Sequence, residues 1–156
     1  MNQEPTIPGI TIGPAEESEY AFAAQLMVHS EPWMTLGRQF DERMTSLKRL
    51  GTELLIAREG GQPVGFVHIH PYGFAGSPYI TTIAVSHSLR GRGVGSRLLA
   101  FAEEHLAGRR FLFLCVGSFN PRAQELYYRL GYVQVGEIPN YAIEGHSELI
   151  LSKKLA

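Results

Sequence analysis

Hydrophobic and polar positions change their period along this chain, and the changes mark its elements. Thr6 to Ile12 reads as a short first strand flanked by proline and glycine. Pro14-Ala15-Glu16-Glu17 predicts a helix start, with proline early and acids in the first turn. That helix runs to about Val28, and Glu31-Pro32-Trp33 breaks it. Phe40, Met44 and Leu47 fall at i, i+4 and i+7, which predicts a second helix over Arg38 to Leu50. Leu54 to Arg58 and Val64 to His70 read as strands, made a hairpin by Glu59-Gly60-Gly61-Gln62. The β-branched run Tyr79 to Val85 predicts another strand. Val94, Leu98, Leu99, Ala102 and Leu106 mark one face of a helix that Gly108 ends. Phe111 to Val116 is continuously apolar, as in a strand covered on both faces. Asn120-Pro121 suits an N-cap followed by the first helical position. Ala123, Leu126, Tyr127 and Leu130 form the inward stripe of that helix, and Gly131 ends it. Tyr132 to Val135 and Ser147 to Ser152 are the closing strands.

The order β-α-α-β-β-β-α-β-α-β-β predicts an α/β protein with a mixed sheet and helices on both faces. No linker or repeat divides it, so residues 1–156 read as a single domain. Composition narrows the class: 44% apolar and 19% charged residues fit a soluble globular chain. A net charge of −1 gives no general basic surface, so no nucleic-acid partner is expected. Cys115 is the single cysteine and cannot form an internal disulfide, which fits a reducing compartment. Neither a secretory pattern nor an apolar run of bilayer length is present, so the expectation is a cytoplasmic protein with no membrane partner.

Chemistry enters with Arg90-Gly91-Arg92-Gly93-Val94-Gly95, between a β-branched strand and an amphipathic helix. Such a loop lets backbone N–H groups approach a phosphate, and the helix dipole favours the negative charge. A dinucleotide site would place GxGxxG directly after a strand, but the third glycine position is Ser96 and Ser86 to Leu89 intervene. The acid that should follow the next strand is also missing, since that region reads Cys115-Val116-Gly117-Ser118. A P-loop of the form GxxxxGK[ST] is absent.

What remains is Arg-x-x-Gly-x-Gly from Arg90 to Gly95, then Asn120-x-x-Ala123-x-x-Leu126-Tyr127-x-x-x-Gly131-Tyr132 one helix and one strand later. In this order and spacing the two patterns resemble the GNAT superfamily of acyl-CoA-dependent N-acetyltransferases, most densely from Tyr79 to Tyr132. The resemblance implies a mostly antiparallel sheet in which one strand pair is splayed to admit acetyl-CoA, the acetyl donor. It implies that Arg90, Gly91, Arg92, Gly93, Val94, Gly95 and Ser96 meet the pyrophosphate of coenzyme A. The backbone of Ile83, Ala84 and Val85 would pair with the pantetheine arm, and Asn120 would also contact the cofactor. Tyr127 would protonate the departing thiolate, after a primary amine on a small molecule or peptide has attacked directly. Homodimerisation is a habit of the family.

The general base is not marked. Some members carry a glutamate on the strand matching Tyr79–Val85, which has no carboxylate here, and others carry one at the position of Cys115. A water relay, or one of His68, His70 and His146, would then accept the amine's proton. His68 and His70 share a strand face, but no third ligand accompanies them, so no metal is expected. His146 and Glu148 are paired in the same way on the last strand. Trp33, Met34 and Leu36 are candidate walls of the acceptor pocket by the same resemblance. Cys115 within FLFLCV reads as a small buried apolar residue. A non-catalytic acyl-CoA-binding domain is the alternative, and the acceptor is not encoded in any motif.

Overall fold

The computed structural model describes residues 7–29, 34 and 39–156, and its elements follow the expected order. The strands are β1 Ile10–Pro14, β2 Glu53–Glu59, β3 Gln62–Phe74, β4 Ser77–Val85, β5 Phe111–Gly117, β6 Val133–Pro139 and β7 Ser147–Lys154. The helices are α1 Glu19–Val28, α2 Phe40–Leu47, α3 Val94–His105 and α4 Pro121–Arg129. A single 3-10 turn, His87–Leu89, separates β4 from the glycine loop.

The strands make one seven-stranded sheet in the order β1-β2-β3-β4-β5-β7-β6. All neighbours run antiparallel except β4 and β5, which are parallel. Side chains alternate between the faces of each strand, so two cores form. Val67, Ile69, Ile80, Leu112, Leu114, Leu149 and Leu151 meet Leu98, Leu99 and Tyr127 of α3 and α4 on one face. Leu54, Ile56, Phe66 and Ala84 meet Ala23, Ala24 and Met27 of α1 and Leu47 of α2 on the other.

Local chemistry fixes several boundaries. Gly60 and Gly61, both at positive φ, join β2 to β3 in a two-residue turn of the kind that matches strand twist. Ala75 and Gly76 do the same between β3 and β4, so β3 runs past His70 to Phe74, beyond its sequence signal. The first helix begins at Glu19 rather than Pro14, because Pro14 belongs to β1 and pairs with Leu55. Glu19 is buried there on Arg58, through Nε–Oε2 and Nη2–Oε1 contacts of 2.8 and 2.5 Å. The run FLFLCV is not covered on both faces: Leu112, Leu114 and Val116 are buried, whereas Phe111, Phe113 and Cys115 are only half-buried. The face carrying Cys115 is therefore accessible.

Candidate active site

The site originates in a failure of pairing. β4 and β5 are joined only through Tyr79–Phe113 and Ile80–Leu114, and beyond those pairs they part. A β-bulge contributes: Thr82 lies opposite His68 and Ile80 opposite Ile69, leaving Thr81 as the extra residue. A bulge bends its strand and increases its twist. Past the bulge β4 stays paired with β3, up to Gly65–Val85. Ser86 N–H donates to Val64 O across that seam at 2.8 Å. Alternation then turns the polar groups of Ala84 towards β3 and those of Ile83 and Val85 towards the gap. Of the three predicted backbone positions, Ile83 and Val85 thus face the opening, and Ala84 instead sends its side chain into the α1–α2 core.

The glycine loop closes one end of the gap. Gly91 and Gly93 take φ of +81° and +82°, so the backbone itself demands glycine there. Gly93 is the N-cap of α3 and provides no side-chain cap. The first helical bond runs from Arg97 N–H to Gly93 O at 3.0 Å, which leaves the N–H groups of Val94, Gly95 and Ser96 outside the helix ladder. N–H groups left free at a helix N-terminus, with the dipole, favour an anion. Gly95 is different, because its φ is ordinary. A Cβ there would stand 3.8 Å from both Leu126 and Val85, an ordinary contact. Neither backbone nor packing requires glycine at 95, and its missing side chain widens the space between the end of β4 and α4.

Asn120 caps α4 as expected, with Oδ1 accepting Ala123 N–H at 3.3 Å. Tyr127 packs edge-on against Tyr132 at 6.0 Å and is 7% exposed. Burial alone pushes its phenol up to about 12, and no side-chain hydrogen bond holds it among the described residues. Tyr128, one step round the helix, is 43% exposed.

On the opposite face of the sheet the Tyr79 hydroxyl lies beside Cys115, the first β5 residue past the last rung shared with β4, and the two act on each other's titration. Cys115 is half-buried rather than the fully buried apolar residue that the run FLFLCV suggests. Burial pushes both groups up, and the charge of Glu148 reaches both. Glu148 lies on β7 opposite Gly117, half-buried, and desolvation raises its carboxyl. Tyr141, in the turn between β6 and β7, acts on the same Tyr79 hydroxyl. Phe74 stacks on Phe113 at 4.5 Å and lies 6.2 Å from Tyr79, giving this face an aromatic wall. The sequence pattern named Glu148 only as a companion of His146. The signal that would have found it is the β5–β7 register, which no local pattern carries.

The predicted histidines separate. His68 is sealed, 2% exposed, with Nδ1 on the Thr81 hydroxyl at the bulge and Nε2 without a hydrogen-bond partner. Burial pushes it down to about 4, against a weaker favourable contribution from the Leu47 backbone. Sealed in this way, it is packed as a structural residue rather than set as a base at the surface of the gap. His70 lies opposite Tyr79 and accepts the Tyr72 N–H at Nδ1, 3.2 Å. His146 is exposed and meets Phe119 edge-on at 5.6 Å. Arg90 reaches Val85 O at 3.5 Å, beside the gap. Arg92 is drawn to Glu59 at 3.1 Å, an exposed pair that binds it weakly. Met34 is exposed, and Trp33 and Leu36 lie outside the described residues. Among the described residues no group of three or more His, Cys, Asp or Glu side chains is placed to hold a metal ion. None of the described helices is long and apolar enough to cross a membrane.

Comparison with known proteins agrees with this geometry. The chain is 32% identical over 82 residues to an uncharacterized N-acetyltransferase of Methanocaldococcus jannaschii, covering 51% of this chain and 53% of that one. The chain thus spans about half the length of that relative. Among solved structures, an aminoglycoside 6'-N-acetyltransferase complexed with coenzyme A superposes with a TM-score of 0.77 at 18% identity, covering 94% of this chain and 97% of that one. The ribosomal-protein-S18-alanine N-acetyltransferase of Escherichia coli gives 0.77 at 20%, covering 94% of each chain. At such identities these two share the fold. The model of the acetyltransferase (GNAT) family matches residues 17–132, most of the sequence, and the chain belongs to that family.

Proposed function

We propose that this chain transfers the acetyl group of acetyl-CoA directly to a primary amine. The observation that carries the proposal is the parting of β4 from β5 after Ile80, with the unpaired N–H groups of α3 at the same end. The residues present fit an acyl-CoA. The loop from Arg90 to Ser96 would take its phosphates, with the N–H groups of Val94, Gly95 and Ser96 foremost. Ile83 and Val85 would pair with the amides of its arm, as a missing strand would. A backbone N–H on that edge would polarise the thioester carbonyl. Asn120 would add a polar contact from the start of α4. Tyr127, with an unengaged hydroxyl and a raised pKa, would stay protonated at neutral pH and donate to the leaving sulfur. The relative of this fold that was solved with coenzyme A supports the choice of donor.

Calorimetric titration with acetyl-CoA, followed by detection of the free CoA thiol across a panel of primary amines, tests this. Binding together with amine-dependent thiol release is the expected result. Binding without release for any amine would favour a non-catalytic acyl-CoA-binding domain, and no binding would remove the proposal altogether.

A further inference from the structure

An amine in neutral water is mostly an ammonium, and its lone pair is available only once a proton has left. Tyr127 lies on the α3–α4 face of the sheet, where the thiolate would depart. The amine would then come from the opposite face, where the charge of Glu148 reaches both Tyr79 and Cys115 beside the opening. Leu149 and Leu151 of β7 point into the α3–α4 core, so Glu148 and Ile150 point the other way, alongside Cys115 of β5. Gly117, opposite Glu148, leaves that position without a side chain. A Cβ there would sit 2.4 Å from the Phe119 ring, so Phe119 closes over it. Glu148 is thus set in an apolar frame next to the Tyr79–Cys115 pair.

We propose that Glu148 accepts the proton of the acceptor ammonium, with Tyr79 and Cys115 positioning the passage beside it. The proposal rests on the acetyl-transfer reading above. The ammonium N–H bond breaks and its proton passes to a Glu148 oxygen and then to water. The freed electron pair forms the N–C bond to the acetyl carbon, and the C–S bond breaks with its pair on sulfur. The new amide nitrogen sheds a second proton, which ends on the sulfur by way of Tyr127. One proton is released per turnover, and no other reactant is needed. Glu148 acts on Tyr79 from β4 and on Cys115 from β5; Tyr141 of the turn before β7 acts on the same Tyr79 hydroxyl, His70 of β3 lies opposite Tyr79, and His146 stands just before β7 against Phe119. Desolvation, which no cation offsets among the described residues, raises the Glu148 carboxyl and makes it a stronger base.

The experiment compares the parent with Glu148→Gln and Glu148→Asp, using acetyl-CoA and an amine found by thiol release. Glu148→Gln is expected to lower kcat by roughly 10²-fold or more at pH 7 and to move the acidic limb of the pH–rate profile up to the range where the amine itself loses its proton. Acetyl-CoA affinity and melting temperature should stay near those of the parent. Glu148→Asp, which keeps the charge one methylene further back, should keep the limb where the parent has it, at reduced rate, and it serves if the glutamine variant does not fold. A weakly basic acceptor such as hydroxylamine, largely neutral at pH 7, should lose far less than an aliphatic amine. A Glu148→Gln enzyme with parental rate and profile overturns the assignment while leaving acetyl transfer standing. A parent that binds acetyl-CoA but acetylates no amine overturns both.

Discussion

The Tyr79 hydroxyl and the Cys115 thiol face one another where β4 and β5 begin to part, and each shifts the other's titration. The thiol is half-buried, and burial pushes it up, with a smaller push from the charge of Glu148, against a lowering contribution from Tyr79. The thiolate is the reactive form. Cys115 in the folded protein should therefore react with iodoacetamide at pH 7.5 more slowly than in the denatured chain. Equal rates would show that burial does not protect the thiol.

Gly95→Ala separates folding from ligand binding. The added methyl meets Leu126 and Val85 at 3.8 Å without a clash, and alanine favours a helix over glycine by roughly 0.5–1 kcal/mol. Melting temperature should hold or rise, while acetyl-CoA affinity falls because the methyl narrows the space between β4 and α4. Calorimetry beside thermal melts decides, and undiminished affinity would place the ligand elsewhere. Gly93→Val is a poorer probe, since φ of +82° strains any branched residue whether or not a phosphate binds.

Tyr127→Phe removes a hydroxyl that no described side chain holds, so stability should change little. Turnover should fall by about 10²–10⁴-fold, the usual worth of general acid catalysis. Tyr128→Phe, on the exposed side of the same helix, should behave as the parent does. Steady-state rates with chemistry limiting decide. A parental rate for Tyr127→Phe would make the residue core packing alone.

His68 predicts a pH-dependent stability. Its folded pKa is lowered from 6.5 to about 4, so the unfolded chain binds a proton that the folded chain refuses between those values. The contribution is intact above pH 6.5 and is lost as pH falls towards 4, by roughly 2 kcal/mol between pH 7 and pH 5. His68→Gln should start from a lower melting temperature, because the core is disturbed, but should lose less of it over that interval. Parallel slopes in the two proteins would contradict the burial of a neutral imidazole.

Much of this protein follows from its sequence alone, because the causes are local. Alternation and helical spacing set the order of strands and helices. Asn120 and Pro121 start α4 through their own hydrogen bond and fixed φ. Gly91 and Gly93 turn the loop because they carry no Cβ. Ala123, Leu126, Tyr127 and Leu130 share one face through the helix period, and they face the core as that period requires. Other features needed the folded chain. The end of β3 at Phe74 and the bulge at Thr81 depend on which residue a neighbouring strand presents. The insertion of β7 between β5 and β6 brings Glu148 to Tyr79 and Cys115, and the α2 residue Leu47 seals the core beside His68. These are choices of partner and register between distant segments. Burial and a neighbour's charge then decide whether a histidine is sealed in a core or a glutamate is left half-buried beside a tyrosine and a thiol, and neither quantity is written into the residues on either side.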